Sequence, residues 1–310
     1  MASTTFCELN TTGLIRAAGD DARAFLHSQI TSDVVGLERL RTQYGGYCTP
    51  KGRLIATFLL WNLDDGVMLQ LPQSIAEDVR TRLSRYVLRS KARLTNVTPE
   101  YALFGVYGAG AAAALARVLP IVPPDLHAVV QHEGITATRL GGERYAIFAP
   151  RDHVESTRQA FLPVAQEDTN GGWARLDIEH GIPVITPETQ EEFVPQMVNL
   201  DLIGGVSYSK GCYPGQEIVA RTHYLGRPKQ RMQRVQSTGS ESMAPGDPLY
   251  SSAFGPEQAS GRIVNAARAG SGYEALAVIQ TAATVSGDIR WRSPEGPPLV
   301  LKTLPYAIPS

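Results

Sequence analysis

Residues 54–61, Leu-Ile-Ala-Thr-Phe-Leu-Leu-Trp, form a nearly continuous apolar run, and Asn62-Leu63-Asp64-Asp65-Gly66 turns it into a second run over 67–71. Apolar runs of this length, bounded by turn residues, read as strands, and two of them across a short Asp/Gly loop read as a β-hairpin. The chain is therefore built on sheet, and its other elements have to pack against that sheet.

Residues 13–16 read as a short strand. A helix follows from Asp20 or Asp21, with Ala22, Phe25, Leu26 and Ile30 on one face and the aspartate as N-cap. Ser74 with Glu77 predicts a capping box, followed by a stripe of Ile75, Val79, Leu83 and Val87 at spacing four. A strand over 102–107 runs into an Ala-rich helix over 111–119, stopped by Pro120. Asp152 with Glu155 predicts a further capped helix ending near Pro163. A short helix over 173–180 closes at Gly181 and Pro183. The order between about 50 and 150 is strand, strand, helix, strand, helix, strands, which predicts an α+β, ferredoxin-like part. From 234 to 310, short β-type pieces separated by Gly, Pro and Ser predict a small C-terminal β-barrel, with 1–233 as the larger region.

A formal net charge of -1 argues against a surface given over wholly to nucleic acid. Cys7, Cys48 and Cys212 are odd in number and far apart, so they spell neither a disulfide framework nor a zinc site, and no metal is expected. With no basic, apolar leader and no apolar stretch near the ~20 residues that span a bilayer, a cytoplasmic protein is expected.

Lys210-Gly211-Cys212-Tyr213-Pro214-Gly215-Gln216-Glu217 breaks every helix and strand rule. Two glycines and a proline put the cysteine on a sharply turning loop, and Glu217-Ile218-Val219-Ala220-Arg221 can begin a helix. A helix start and the cations Lys210, Arg221, Arg227, Lys229, Arg231 and Arg234 favour thiolate, with only Glu217 opposing them over 210–234. The alternative is a buried structural cysteine in a tight turn. A working thiol could be a nucleophile, a redox switch or a transient ligand to a soft metal, and the residues leave these open.

Three other features carry candidate chemistry. Gly108-Ala109-Gly110-Ala111-Ala112-Ala113 matches a loose dinucleotide fingerprint, but prolines interrupt the route to an acidic residue, so close helix–strand packing explains the glycines better. Residues 80–93 hold six basic residues and no acidic one. They could meet RNA phosphates or a polyanionic tail, or form a solvated helix face. Trp173, with Arg175, Asp177 and Glu179, is core packing or the stacking wall for a flat heterocycle whose ring N–H groups Glu179 would accept.

The segment from Lys210 to Glu217, with Arg221, resembles the K-G-C-[FY]-x-G-Q-E-x-x-x-[KR] signature of the YgfZ family, folate-binding relatives of the glycine-cleavage T-protein. Further resemblance lies in Gln29-Ile30-Thr31-Ser32-Asp33-Val34, Pro50-Lys51-Gly52-Arg53, Ile178-Glu179-His180-Gly181-Ile182-Pro183-Val184-Ile185, Val194-Pro195-Gln196-Met197-Val198-Asn199-Leu200 and Gly204-Gly205-Val206-Ser207-Tyr208. It implies three domains in a ring and a bound tetrahydrofolate or derivative. It also implies support for iron–sulfur enzymes, among them tRNA-modifying ones, through client enzymes or assembly factors. By position, Cys212 inherits the functional thiol, beside Lys210 and Arg221. Trp173, Arg175, Glu179, Asn199, Gln216 and Glu217 become the folate candidates. The family's second tryptophan has no counterpart; Thr12 stands at about that point. Thr57 stands where T-proteins carry a catalytic aspartate, and a threonine neither supplies negative charge nor accepts a proton at neutral pH.

Three functions compete on this reading: a folate-dependent accessory factor for iron–sulfur proteins, a folate-dependent one-carbon transferase, and an RNA-binding protein using residues 80–93.

Overall fold

A computed structural model describes residues 4–226 and 228–309; Arg227 lies outside them. The chain divides into two compact units. The first comprises Met1–His27, Asp33–Gln43 and Phe58–Thr169, the second Ser28–Ser32, Tyr44–Thr57 and Asn170–Ser310.

The opening hairpin is the strand pair Leu54–Leu63 and Gly66–Pro72, and every residue of the first strand except Leu63 is buried. It belongs to a five-stranded sheet ordered Thr42–Cys48, Leu54–Leu63, Gly66–Pro72, Thr12–Ala18, Arg93–Asn96. The helix Gln73–Ser84 buries Ile75, Ala76, Val79 and Leu83, while Val87 falls beyond its end. The expected Ser74–Glu77 capping box does not form. The chain passes from Pro72, at φ -58, straight into helix, which starts before Ser74 could act as cap. The Gln73 N–H bonds the Thr11 carbonyl at 2.8 Å, so main chain meets that first-turn donor. Glu77 holds Arg80 instead, at 2.7 Å.

A six-stranded sheet, ordered Gln166–Glu167, Thr5–Glu8, Tyr101–Tyr107, Arg144–Pro150, Ile135–Leu140, Val129–His132, lies within the first unit. Phe6, Phe104, Leu115, Ile147 and Phe161 form its core. The order over 50–150 differs from the expected one by an added strand, Arg93–Asn96, between the helix Gln73–Ser84 and the strand Tyr101–Tyr107; its elements feed both sheets, which the strands near the N-terminus complete. The Ala-rich helix is shorter than expected, Ala111–Leu115, because the next donors, Arg117 and Val118, bond back only three residues. Asp152 is not a cap: it sits inside a 3₁₀ turn, Arg151–His153, that precedes the helix Val154–Phe161. A Cβ on Gly110 would stand 2.3 Å from Thr4 Oγ1, so close packing accounts for that glycine.

In the second unit, a six-stranded sheet runs Arg290–Trp291, Pro248–Tyr250, Gly261–Ala269, Gly272–Gln280, Gln230–Ser237, Val300–Lys302. It curls around Val235, Leu249, Ile263, Ala277, Ile279 and Trp291 as a half-barrel. A second cluster, with Cys48, Leu54, Ile178, Phe193, Val198 and Met232, lies under the motif-bearing segments. Among the described residues no helix is long and apolar enough to cross a membrane.

Candidate functional site

The motif loop is held by two interlocked glycine turns. Gly215, at φ +82, precedes the helix Gln216–Leu225. Its missing Cβ leaves room for the turn at Thr49–Arg53: a Cβ there would stand 2.5 Å from Thr49 O and 2.6 Å from Gly52 Cα. Gly52 takes φ +71 and sits against Ile218. That turn is closed by Thr49 N–H to Arg53 O at 2.8 Å and Gly52 N–H to Thr49 O at 2.9 Å. Gly–Gly contact is the only side-chain-free way to bring two backbones this close.

Lys210 is not a free cation. Its ammonium donates to Ile30 O at 2.6 Å and Ser32 O at 3.2 Å, and lies 4.9 Å from the Tyr213 ring centroid. Tyr213 is buried, and burial, with the Cys48 thiol and the Tyr208 hydroxyl beside it, pushes its hydroxyl above the usual phenol range. Burial likewise pushes the Cys48 thiol up to about 12. Cys7 and Cys48 are buried and Cys212 is exposed. Anchored on both sides by Lys210 and Tyr213, the Cys212 side chain faces solvent, which contradicts the structural-cysteine alternative.

The expected ring of cations is partly engaged elsewhere. Arg231 pairs with Asp201 at 2.7 and 3.0 Å, and Arg234 binds Glu274 at 2.9 Å. Both carboxylates come from outside residues 210–234 of the sequence apart from the motif, so a local charge count misses them. Arg221 and Glu217 are exposed on the motif helix and Gln216 is half-buried.

Gln196 links the upstream segment to that helix, donating from Nε2 to Val219 O at 2.7 Å and Tyr208 Oη at 3.2 Å. Tyr208 stacks on His223, with ring centroids 3.7 Å apart. Asn199, fully buried at φ +57, donates to Met232 O at 2.8 Å. Its Oδ1 is buried without a partner among the described residues.

Trp173, Arg175 and Glu179 share the helix Gly172–Glu179, and Trp173 is largely buried. Arg175 bonds Glu179 Oε1, and Arg234 stands 3.7 Å from the same oxygen. Glu179 is thus oriented by two guanidinia through one oxygen. Gly181, at φ +66, ends the helix as expected. Tyr306 donates to Gly181 O at 2.9 Å and receives Asn199 Nδ2 at 3.5 Å, so a C-terminal tyrosine joins two segments that the sequence leaves separate. Nothing in its local sequence marks it.

Thr57 is buried and its hydroxyl is engaged: it donates to Pro183 O at 2.9 Å and accepts from Ile185 N–H at 3.3 Å. The hydroxyl is a tether for the segment after the Trp173 helix. In the first unit, Arg80 and Arg82 are tied to Glu77 and Asp78 and Lys91 lies 3.6 Å from Asp20. Arg85, Arg89 and Arg93 carry no ion pair among the described residues.

Residues 2–148 match the GCVT N-terminal domain. The glycine cleavage system aminomethyltransferase T from Bartonella henselae has the same fold, with a TM-score of 0.81 at 16% identity, covering 98% of this chain and 86% of that one. The fold is therefore that of the T-proteins. A tRNA-modifying protein YgfZ of Photorhabdus laumondii is 30% identical over 308 residues, 98% of this chain and 93% of the relative. That of Hamiltonella defensa is 32% identical over 241 residues, 72% of this chain and 67% of the relative. Within the T-protein fold, the chain belongs to the YgfZ family.

Proposed function

We propose that this chain is a folate-binding accessory protein that supports the making or repair of iron–sulfur enzymes, tRNA-modifying ones included, through the thiol of Cys212. The observation that carries this is an exposed cysteine on a loop fixed from beneath by Lys210, Tyr213 and the Gly52–Gly215 contact. A rigid mount costs conformational freedom, and it fits a thiol that has to meet a partner in one geometry. The relatives' naming as tRNA-modifying proteins supports the link to tRNA modification.

The residues fit a folate. Glu179 Oε1 is engaged by arginine, while its Oε2 takes no bond among the described residues and stays available to ring N–H donors. The buried, unpartnered Asn199 Oδ1 offers a second acceptor. Trp173 supplies an aromatic face. A reduced folate supplies a one-carbon carrier; Glu179, Asn199 and Trp173 bind and orient it. Support against one-carbon transfer by the T-protein route comes from Thr57, whose hydroxyl is already engaged twice.

Cells lacking the protein, complemented with Cys212→Ala at wild-type abundance, are expected to recover none of the lost iron–sulfur enzyme activity. Full recovery sinks the thiol's role.

A further inference from the structure

The strand Arg93–Asn96 ends the five-stranded sheet, with register Ile15↔Asn96 to Ala18↔Arg93. Val97 N–H bonds Leu14 O at 3.0 Å. Hydrogen-bonded pairs alternate in an antiparallel ladder, so Thr95 and Arg93 address the inner strand while the main-chain groups of Leu94 and Asn96 point outward. Among the described residues nothing pairs with them.

The chain's other sheet edges are treated differently. Thr42–Cys48 is covered by Thr31 N–H on Gly46 O at 2.8 Å and the Ile30↔Tyr47 bridge. Val129–His132 is covered at its start by the Leu40 carbonyl and the Arg41↔Ala128 bridge. The remaining edge strands, Gln166–Glu167, Arg290–Trp291 and Val300–Lys302, are only two or three residues long. An uncovered edge is a template for pairing with another chain, and proteins usually block it.

Beside this edge runs a cleft of about 520 Å³, lined by Glu77, Arg80, Ser84 and Val87 on the helix side and by residues 92–96 on the strand side. Its rim is basic. No acidic residue occurs over 79–99, and within that stretch Arg85, Arg89 and Arg93 carry no ion pair among the described residues. Next to them Leu88 is held at φ +46 and is 87% exposed. Tyr86 is 53% exposed. An exposed leucine on left-handed backbone is an apolar contact with nothing of its own to bury against.

We propose that this edge and its basic rim dock an extended acidic peptide segment of a partner protein, which adds as a strand beside Arg93–Asn96. Outward N–H and C=O groups repeat every second residue, about 6.6 Å apart, and another peptide backbone matches both donors and acceptors. The partner's carboxylates meet Arg85, Arg89 and Arg93, and its apolar side chains meet Leu88 and Tyr86. Nucleic acid satisfies the guanidinia but leaves the strand edge and Leu88 without a complement. This surface lies in the first unit and is independent of the Cys212 thiol.

The test uses the full chain and a fluorescein-labelled peptide of alternating Glu and Val, followed by anisotropy and amide hydrogen exchange. Binding is expected, with slowed exchange at Leu94 and Asn96 and none added at Arg93 or Thr95. N-methylating alternate peptide amides and, separately, the exposed-site double change Arg85→Glu with Arg89→Glu are each expected to weaken binding about tenfold or more. Unchanged melting of the double variant shows that it folds. Absence of binding overturns the proposal, as does equal binding of the N-methylated peptide, which leaves charge alone. Tighter binding of labelled oligouridylate with the same arginine dependence also overturns it, in favour of RNA.

Discussion

At Gly215 two backbones meet with no side chain between them, and its φ of +82 lies where glycine alone is unstrained. Both Thr49 O and Gly52 Cα are main-chain atoms that cannot swing aside. Gly215→Ala is expected to cost about 1–3 kcal/mol, from strain and the displaced turn together. Gly211 is the internal control, because a Cβ there meets nothing within 4 Å. Urea unfolding of both variants checks this, and equal midpoints would show that the contact bears no strain. Beneath the loop, Cys48 makes a second residue-scale statement. Its thiol is pushed from 9.0 to about 12 by burial, so the folded state keeps a proton that the unfolded chain loses first. Its contribution is fully present below pH 9 and is lost as pH rises towards 12. The limiting slope is about 1.4 kcal/mol per pH unit. Cys48→Ala is expected to flatten the fall of stability that starts near pH 9, whatever its cavity costs at neutral pH. An unchanged profile would assign the alkaline loss to other groups.

At the scale of elements, the strand Gln230–Ser237 is tied to the Gln196–Asp201 segment by one ion pair. Arg231 and Asp201 have side chains only 11% and 9% exposed, and Arg231 also donates to Gln196 O at 2.7 Å. Removing one member strands the other charge in a poor solvent. Arg231→Met is therefore expected to destabilise by about 3–5 kcal/mol, read from thermal or urea unfolding. The double change Arg231→Met with Asp201→Leu should recover part of that loss, since two apolar groups leave no orphan. The same pair shows where sequence reasoning stops. Alternation and composition are local, so the Leu54–Leu63 and Gly66–Pro72 hairpin, the Gln73–Ser84 stripe and the end of the Trp173 helix at Gly181 were all legible. Helix starts were less so, because a backbone donor such as Gln73 N–H can be met by Thr11 O rather than by a serine nearby. The cysteine's loop was legible from its glycines and proline. Its electrostatics were not, because Asp201, Glu274 and the Ile30 and Ser32 carbonyls reach Arg231, Arg234 and Lys210 from distant sequence. Tyr306 was invisible for the same reason.

At the scale of the molecule, the chain combines a T-protein fold with a buried, doubly bonded threonine at 57 and an exposed cysteine at 212. On the proposed function, folate binding and thiol chemistry rest on separate residues, and the two should come apart by mutation. Trp173 and Glu179 lie on one helix, ordered by Arg175 and Arg234. The thiol is mounted by Lys210 and Tyr213 on a separate loop. Cys212→Ala is therefore expected to bind tetrahydrofolate as wild type does while failing in cells. Trp173→Ala, with its aromatic face removed, is expected to bind roughly tenfold more weakly or worse. Calorimetric titration of both variants with several reduced folates decides it. If wild type binds none of them, the folate assignment fails and the thiol's role survives. If Cys212→Ala loses folate affinity as Trp173→Ala does, the cysteine belongs to the folate site and the separation of binding from thiol chemistry is wrong.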